Sequence, residues 1–194
     1  MANVNKPFGL RALGNLSATG AQKQYGYEIA DNQSGAIFQG DLVTIDNGYL
    51  VKFNNTDHTV AVGVFNGCNY IDPTTGKPTW KNFYPGSVNI TSGVITADVI
   101  DDPNQLFLIQ ADGTPTRANF GTNADITAGT TGSTVNGISA MTLGVASFTE
   151  AATANLKVIG LWDAPGNTLG EYAVLVVKIN EHMYGSVGTP GFST

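Results

Sequence analysis

The chain is poor in the residues that most often announce chemistry. Its 194 residues hold one cysteine, Cys68, and two histidines, His58 and His182, far apart in the sequence. A single thiol cannot pair within the chain, and no cation lies close by in sequence to lower its pKa, so Cys68 reads as buried and inert. The sequence contains no His-Glu-x-x-His, no Cys-x-x-Cys, no Walker loop and no Gly-x-Gly-x-x-Gly. Ser139, in Gly137-Ile138-Ser139-Ala140-Met141, lacks the second glycine of a nucleophile elbow. Asp57-His58 and Glu181-His182 pair an acid with an imidazole, but a base needs an aligned nucleophile, so they read as incidental surface pairs. Asp101-Asp102 lacks the alternating acid spacing of a calcium loop and reads as a turn with an acidic edge. These residues lead to no assignment of a catalytic group, a metal site or a cofactor.

Charge is scarce too. Only 12% of residues are charged, against about 25% in an ordinary soluble domain, yet the mean hydropathy is zero. Thr, Asn, Ser and Gly supply the polarity. Such side chains suit turns and strand faces and are buried at far lower desolvation cost than charges. The same composition disfavours a long-helix protein, which would be rich in Ala, Glu, Lys and Leu. With 9 basic against 15 acidic residues and a net charge of −6, the chain lacks the cations that bind phosphates, so nucleic acid is not an expected partner. No apolar run approaches the ~20 residues that span a bilayer, so no membrane contact is expected. Met1–Leu10 has no apolar core of a secretory signal, which points to synthesis and folding in a cytoplasm.

The charge that is present is unevenly placed. Residues 1–27 carry Lys6, Arg11 and Lys23 with no acid, a local +3 that leaves −9 for the rest. Residues 1–24 show no sustained strand or helix period and read as an extended N-terminal arm that orders on a neighbouring subunit. A β-rich body over 25–185 and a short C-terminal tail over 186–194 complete the expected organisation.

Within the body, Leu42–Asp46 and Tyr49–Phe53 flank Asn47-Gly48, the pair best suited to a type I′ hairpin turn. That register sets Leu42 opposite Phe53, Thr44 opposite Val51 and Ile45 opposite Leu50. Both faces are then partly apolar, as in a sheet covered on two sides. Further strands are expected over Thr59–Phe65, Val94–Ile100, Leu106–Gln110, Leu156–Trp162 and Glu171–Ile179. Asp102-Pro103-Asn104-Gln105 has the residues of a tight turn. Thr149–Asn155 is the best helix candidate, about two turns long. Residues 118–148 hold one charge, Asp125, among many Thr, Gly, Ser and Asn, and read as an insertion or extended hairpin at a subunit contact.

Several phrases carry a family likeness. Asn5-Lys6-Pro7-Phe8-Gly9-Leu10-Arg11, Gly40-Asp41, Gly63-Val64-Phe65-Asn66-Gly67-Cys68-Asn69-Tyr70, Val99-Ile100-Asp101-Asp102-Pro103-Asn104 and Ile179-Asn180-Glu181-His182 resemble virion structural proteins of tailed double-stranded DNA bacteriophages. Within that group the sequence is most similar to the small capsid decoration, or cement, proteins.

The resemblance implies an all-β fold, a β-sandwich or jelly-roll-like body with its arm, seated on the outer surface of an icosahedral head. It implies the major capsid protein as partner and a homo-oligomer, a trimer or alternatively a dimer. The basic arm then supplies the contacts, with Phe8 and Leu10 as apolar anchors and Lys6 and Arg11 as charge partners. A tail or tail-fibre component fits the same composition. So does a carbohydrate-binding module using Trp80, Tyr84 or Trp162 as a stacking platform. A major capsid protein fits less well, for want of a long spine helix, and an enzyme has only scattered carboxylates in its favour.

Overall fold

A computed structural model describes residues 3–16, 24–127, 132–185 and 188. Strands make up 41% of it, and the helical segments among the described residues are two short 3₁₀ turns, Arg117–Asn119 and Val145–Ser147. Thirteen strands follow one another among the described residues: β1 (Arg11–Asn15), β2 (Gln24–Ile29), β3 (Ile37–Phe38), β4 (Leu42–Asp46), β5 (Tyr49–Lys52), β6 (Gly63–Ile71), β7 (Pro78–Lys81), β8 (Phe83–Tyr84), β9 (Ile95–Ile100), β10 (Gln105–Gln110), β11 (Asn123–Ala124), β12 (Leu156–Leu161) and β13 (Val174–Ile179). The all-β class expected is the class observed.

The strands form antiparallel sheets. The first runs β1-β10-β13-β12-β11, and the second runs β2-β9-β6-β4-β5 with β7 added on β6. A short β3-β8 pair makes a third. The hairpin at Asn47-Gly48 forms as its residues require. Both turn residues have positive φ, 50° and 87°, Thr44 faces Val51 and Ile45 faces Leu50, and the Phe53 N–H donates to the Leu42 carbonyl at 2.9 Å.

Alternation along the strands sorts side chains into two cores. In β13, Leu175, Val177 and Ile179 are buried with Phe107 and Ile109 of β10, each full burial contributing roughly 1.5–3 kcal/mol. The other core gathers Val43, Phe65, Ile95 and Val99 with Ile37 and Tyr84. Leu42, Val64 and Ile100, the chain neighbours of Val43, Phe65 and Val99, belong to the first core. The second sheet is therefore covered on both faces, as the apolar content of both faces of the β4–β5 hairpin requires.

A bulge modifies this alternation. The β6–β9 register shifts between Phe65 and Gly67, so one residue, Asn66, is left over on β6. Cys68 and Tyr70 then point into the same core as Phe65, and Asn69 turns outward and is exposed.

Two sequence expectations are corrected. Thr149–Asn155 is a series of turns and not a helix. Its carbonyls are taken by asparagines of the body: Asn123 Nδ2 donates to Ala151 O at 2.8 Å, and Asn180 Nδ2 donates to Ala152 O and Ala154 O at 2.7 and 3.1 Å. These side-chain donors take the carbonyls in place of the backbone N–H groups of a helix ladder. The strand expected from Thr59 begins only at Gly63 and continues to Ile71. Within 118–148, Ile126, Met141 and Leu143 are buried in the first core of their own chain while Val135 is 96% exposed; residues 128–131 of this stretch lie outside the described residues.

Candidate functional site

The N-terminal segment, from Asn3 to Leu16, is laid along the body by side-chain and backbone bonds. Asn3 Nδ2 donates to the carbonyls of Thr168 and Glu171 at 2.8 and 2.9 Å. Gln110 grips the chain with both ends of its amide: Oε1 accepts the Lys6 N–H and Nε2 donates to Val4 O, each at 2.9 Å. The Leu10 N–H donates to Gly40 O at 2.8 Å, and β1 then pairs with β10. Apart from residue 24 in β2, the rest of the expected arm, residues 1–2 and 17–23, and most of the expected tail lie outside the described residues.

Of the four residues expected to contact a partner, Lys6 and Arg11 are exposed and Phe8 is half-buried. The Arg11 guanidinium sits 5.0 Å from the Phe8 ring centroid, a cation–π contact that fixes one side chain against the other. Leu10 departs from its expected role as an anchor for another subunit. It is 3% exposed and belongs to its own core, because the chain turns inward at Gly9, where φ is +69°. A cavity of about 200 Å³ opens beside this segment, lined by Phe8, Arg11, Gln39, Asn66 and Ile138.

Behind the cavity lies a buried polar node that the sequence did not announce. Asp41 Oδ2 accepts the Phe38 N–H at 2.9 Å and pairs with Lys52 Nζ at 3.2 Å. Its Oδ1 accepts the Ser139 hydroxyl, and Ser139 Oγ accepts the Met141 N–H at 3.0 Å. Burial pushes the Asp41 carboxyl pKa up, against the opposing pull of Lys52. Ser139 is 1% exposed and donates to a carboxylate, so it ties two segments together and presents no nucleophile to solvent. The only sequence signal was the Gly40-Asp41 phrase, since Ser139 is 98 residues away.

The acid–histidine pairs serve local structure. His58 Nδ1 accepts the Asn54 N–H at 3.1 Å, and Asp57 accepts from Asn54 Nδ2 at 2.9 Å. His182 Nδ1 accepts the Tyr184 N–H at 3.1 Å, and burial lowers its pKa although Asp101 and Asp102 oppose this. Asp101 accepts the Tyr27 hydroxyl at 2.8 Å. Burial, with this bond and that of Tyr184, raises the phenol's pKa. Asp102 Oδ1 accepts the Asn104 N–H at 2.8 Å, closing the turn expected there. Cys68 is fully buried and its thiol is pushed up to about 12 by desolvation. Among the described residues no three His, Cys, Asp or Glu side chains converge as a metal site would require, and no helix is long and apolar enough to cross a membrane.

The aromatic candidates separate cleanly. Tyr84 is fully buried, its hydroxyl donating to Gln33 O at 3.0 Å, which removes it from any surface platform. Trp162 is half-buried. Trp80 is 54% exposed.

No family model, curated protein or solved structure matches this chain.

Proposed function

We propose that this protein is a virion structural component of a tailed double-stranded DNA bacteriophage, a capsid decoration or cement protein that clamps neighbouring capsomers. The observation that carries this reading is the meeting, in space, of the phrases on which the resemblance rests. Leu10 bonds Gly40, and the Gly40 N–H donates to Phe65 O at 2.9 Å. Val64 pairs with Ile100, and the Ala61 N–H, two residues before β6, donates to Glu181 O at 2.9 Å. Segments scattered along the sequence thus form one connected centre, which supports reading these phrases together.

The surface chemistry supports the same reading. Lys6 and Arg11 stand exposed beside Phe8, a small basic and aromatic patch on a body that is acidic overall. Such a patch suits an acidic, partly apolar site on the major capsid protein. Leu10 serves from behind, holding the patch in place. The protein acts on the outer surface of the head after synthesis in the host cytoplasm, as a homotrimer or alternatively a dimer. A ligand that binds only the expanded lattice stabilises that lattice by its binding free energy, and many copies bridging subunits multiply the effect.

The test is to mix purified protein with expanded, undecorated capsids and image the particles by electron cryo-microscopy. Density at every equivalent local axis, lost with Lys6→Glu/Arg11→Glu, is the expected result. Bare capsids, or a copy number near a dozen confined to the tail, would overturn it.

A further inference from the structure

Where β6 and β9 run past the first core, the face of the second sheet that bears Val64 and Ile100 becomes an outer face, with a group of residues that capsid binding through the N-terminal patch does not use. Trp80 lies on β7, which pairs with β6 so that Trp80 faces Asn69. Its indole crosses β6 over Gly67: a Cβ on that glycine would sit 2.7 Å from Cζ2 and 2.9 Å from Cε2. The ring reaches Asp98 on β9, where the indole Nε1–H approaches Oδ2 at 3.4 Å. Asn69 Nδ2 approaches the same oxygen at 3.4 Å. Both contacts are longer than the usual 2.9–3.0 Å or so, and both fall on one oxygen of an acceptor with about four lone-pair sites. Thr96 and Glu28, paired across β9 and β2, continue the polar row.

We propose that this face is a carbohydrate-binding site for neutral sugars, with Trp80 as the stacking platform and Asp98 and Asn69 as the groups that bind hydroxyls. A pyranose offers an apolar C–H face to an exposed indole and a rim of hydroxyls to adjacent polar groups. Trp80 is 54% exposed, yet its ring is seated against Gly67, so little rotamer freedom is lost on stacking. Beside it lies a cleft of about 440 Å³ lined by Asn69, Pro78, Thr79, Trp80, Val94 and Thr96, inside the roughly 300–1,000 Å³ of small-molecule sites.

Charge selects sugar over the competing occupants. A protein partner would have to bury the Asp98 carboxylate or supply a cation to it, and aspartate is depleted in interface cores for that reason. Sugar hydroxyls donate to a carboxylate without bringing charge. Glu28 and Asp98 also repel anionic sugars, so uronic and sialic acids are excluded. The β6 bulge at Asn66 is what makes the site, because it turns Asn69 to the outer face.

The Trp162→Phe variant leaves Trp80 as the sole tryptophan and provides a direct optical reading. The full chain is applied to a printed array of neutral and acidic bacterial oligosaccharides, and each glycan that binds is titrated against Trp80 emission. Expected are binding to neutral glycans with a change in that emission, at least a tenfold loss of affinity in Trp80→Ala, and a several-fold loss in Asp98→Asn with the melting temperature unchanged. Should no glycan bind above the Trp80→Ala background, should both variants bind as the parent does, or should acidic sugars be preferred, the proposal is overturned.

Discussion

Gly40 fills the side-chain space of Gly9, and the backbone on either side of Gly9 fills that of Gly40. A Cβ on Gly9 would lie 2.6 Å from Gly40 O, and a Cβ on Gly40 would lie 2.9 Å from Phe8 O. Both residues have positive φ, +69° and +93°, so neither the backbone conformation nor the packing admits a side chain. The inward turn that buries Leu10 depends on this pair.

Gly40→Ala is therefore expected to lower stability by about 2–4 kcal/mol, combining left-handed strain with a backbone clash. Gly48→Ala supplies the control, because φ is +87° there but nothing lies within 4 Å of the added carbon. It is expected to cost only about 1–2 kcal/mol. Urea denaturation curves compared at equal m-value separate the two; equal midpoints would show that the clash is relieved freely.

A second prediction concerns the Asp41 node. Asp41→Ala leaves the Phe38 N–H and the Ser139 hydroxyl without their acceptor, each buried loss costing about 1–3 kcal/mol. Ser139→Ala is expected to cost less than Asp41→Ala. The double variant should fall well short of the sum, since the two side chains share one bond. Strict additivity in a double-mutant cycle would mean that they act independently.

How much was legible beforehand depends on how far apart the deciding residues lie. The Asn47-Gly48 hairpin and the Asp102 turn are settled within a few residues, and both form as read. Thr149–Asn155 has a helix-like composition, but Asn123 and Asn180, far away in sequence, claim its carbonyls. No local pattern carries that information. Leu10 misled for the same reason: an apolar residue in a glycine-rich, unpatterned stretch reads as available until Gly40 is brought alongside it. The bulge at Asn66 reverses the alternation of β6, so the outward position of Asn69 could not be derived from period two alone. Trp80 stands out in the sequence as an aromatic, but its partner Asp98 sits on a strand that only the β6–β9 pairing brings beside it.

Acid should weaken the fold through His182. Its buried ring has a lowered pKa, chiefly by desolvation, while in the unfolded chain the group titrates near its ordinary value of about 6.5. Below that value the unfolded chain takes up a proton that the native ring resists, so stability falls as pH drops, until the native ring itself is protonated. Asp101 and Asp102 reduce the loss and Lys178 adds to it. His182→Asn keeps an acceptor for the Tyr184 N–H and removes the titration. Between about pH 7.5 and about pH 5.5 its urea midpoint should move less than that of the parent; an identical shift in both would locate the effect elsewhere.

The Cys68 thiol should be silent in the native state. It is fully buried, its pKa is pushed up to about 12, and its Sγ–H donates to Phe83 O at 3.7 Å. With a disulfide reagent in excess at neutral pH, modification should proceed only as fast as the protein opens, and reach one equivalent in denaturant. Rapid native labelling would show a local opening beside β8.

The second sheet is a party wall. Along β4, β6 and β9 adjacent residues face opposite cores, as Leu42 and Val43, Val64 and Phe65, and Val99 and Ile100 do. A one-residue slip of any of these strands exchanges the occupants of two rooms at once, so misregistered pairings are opposed from both sides. The same geometry leaves neither half free to come apart alone. Loosening one room strips a face from the wall that encloses the other, and the molecule is expected to melt in a single step.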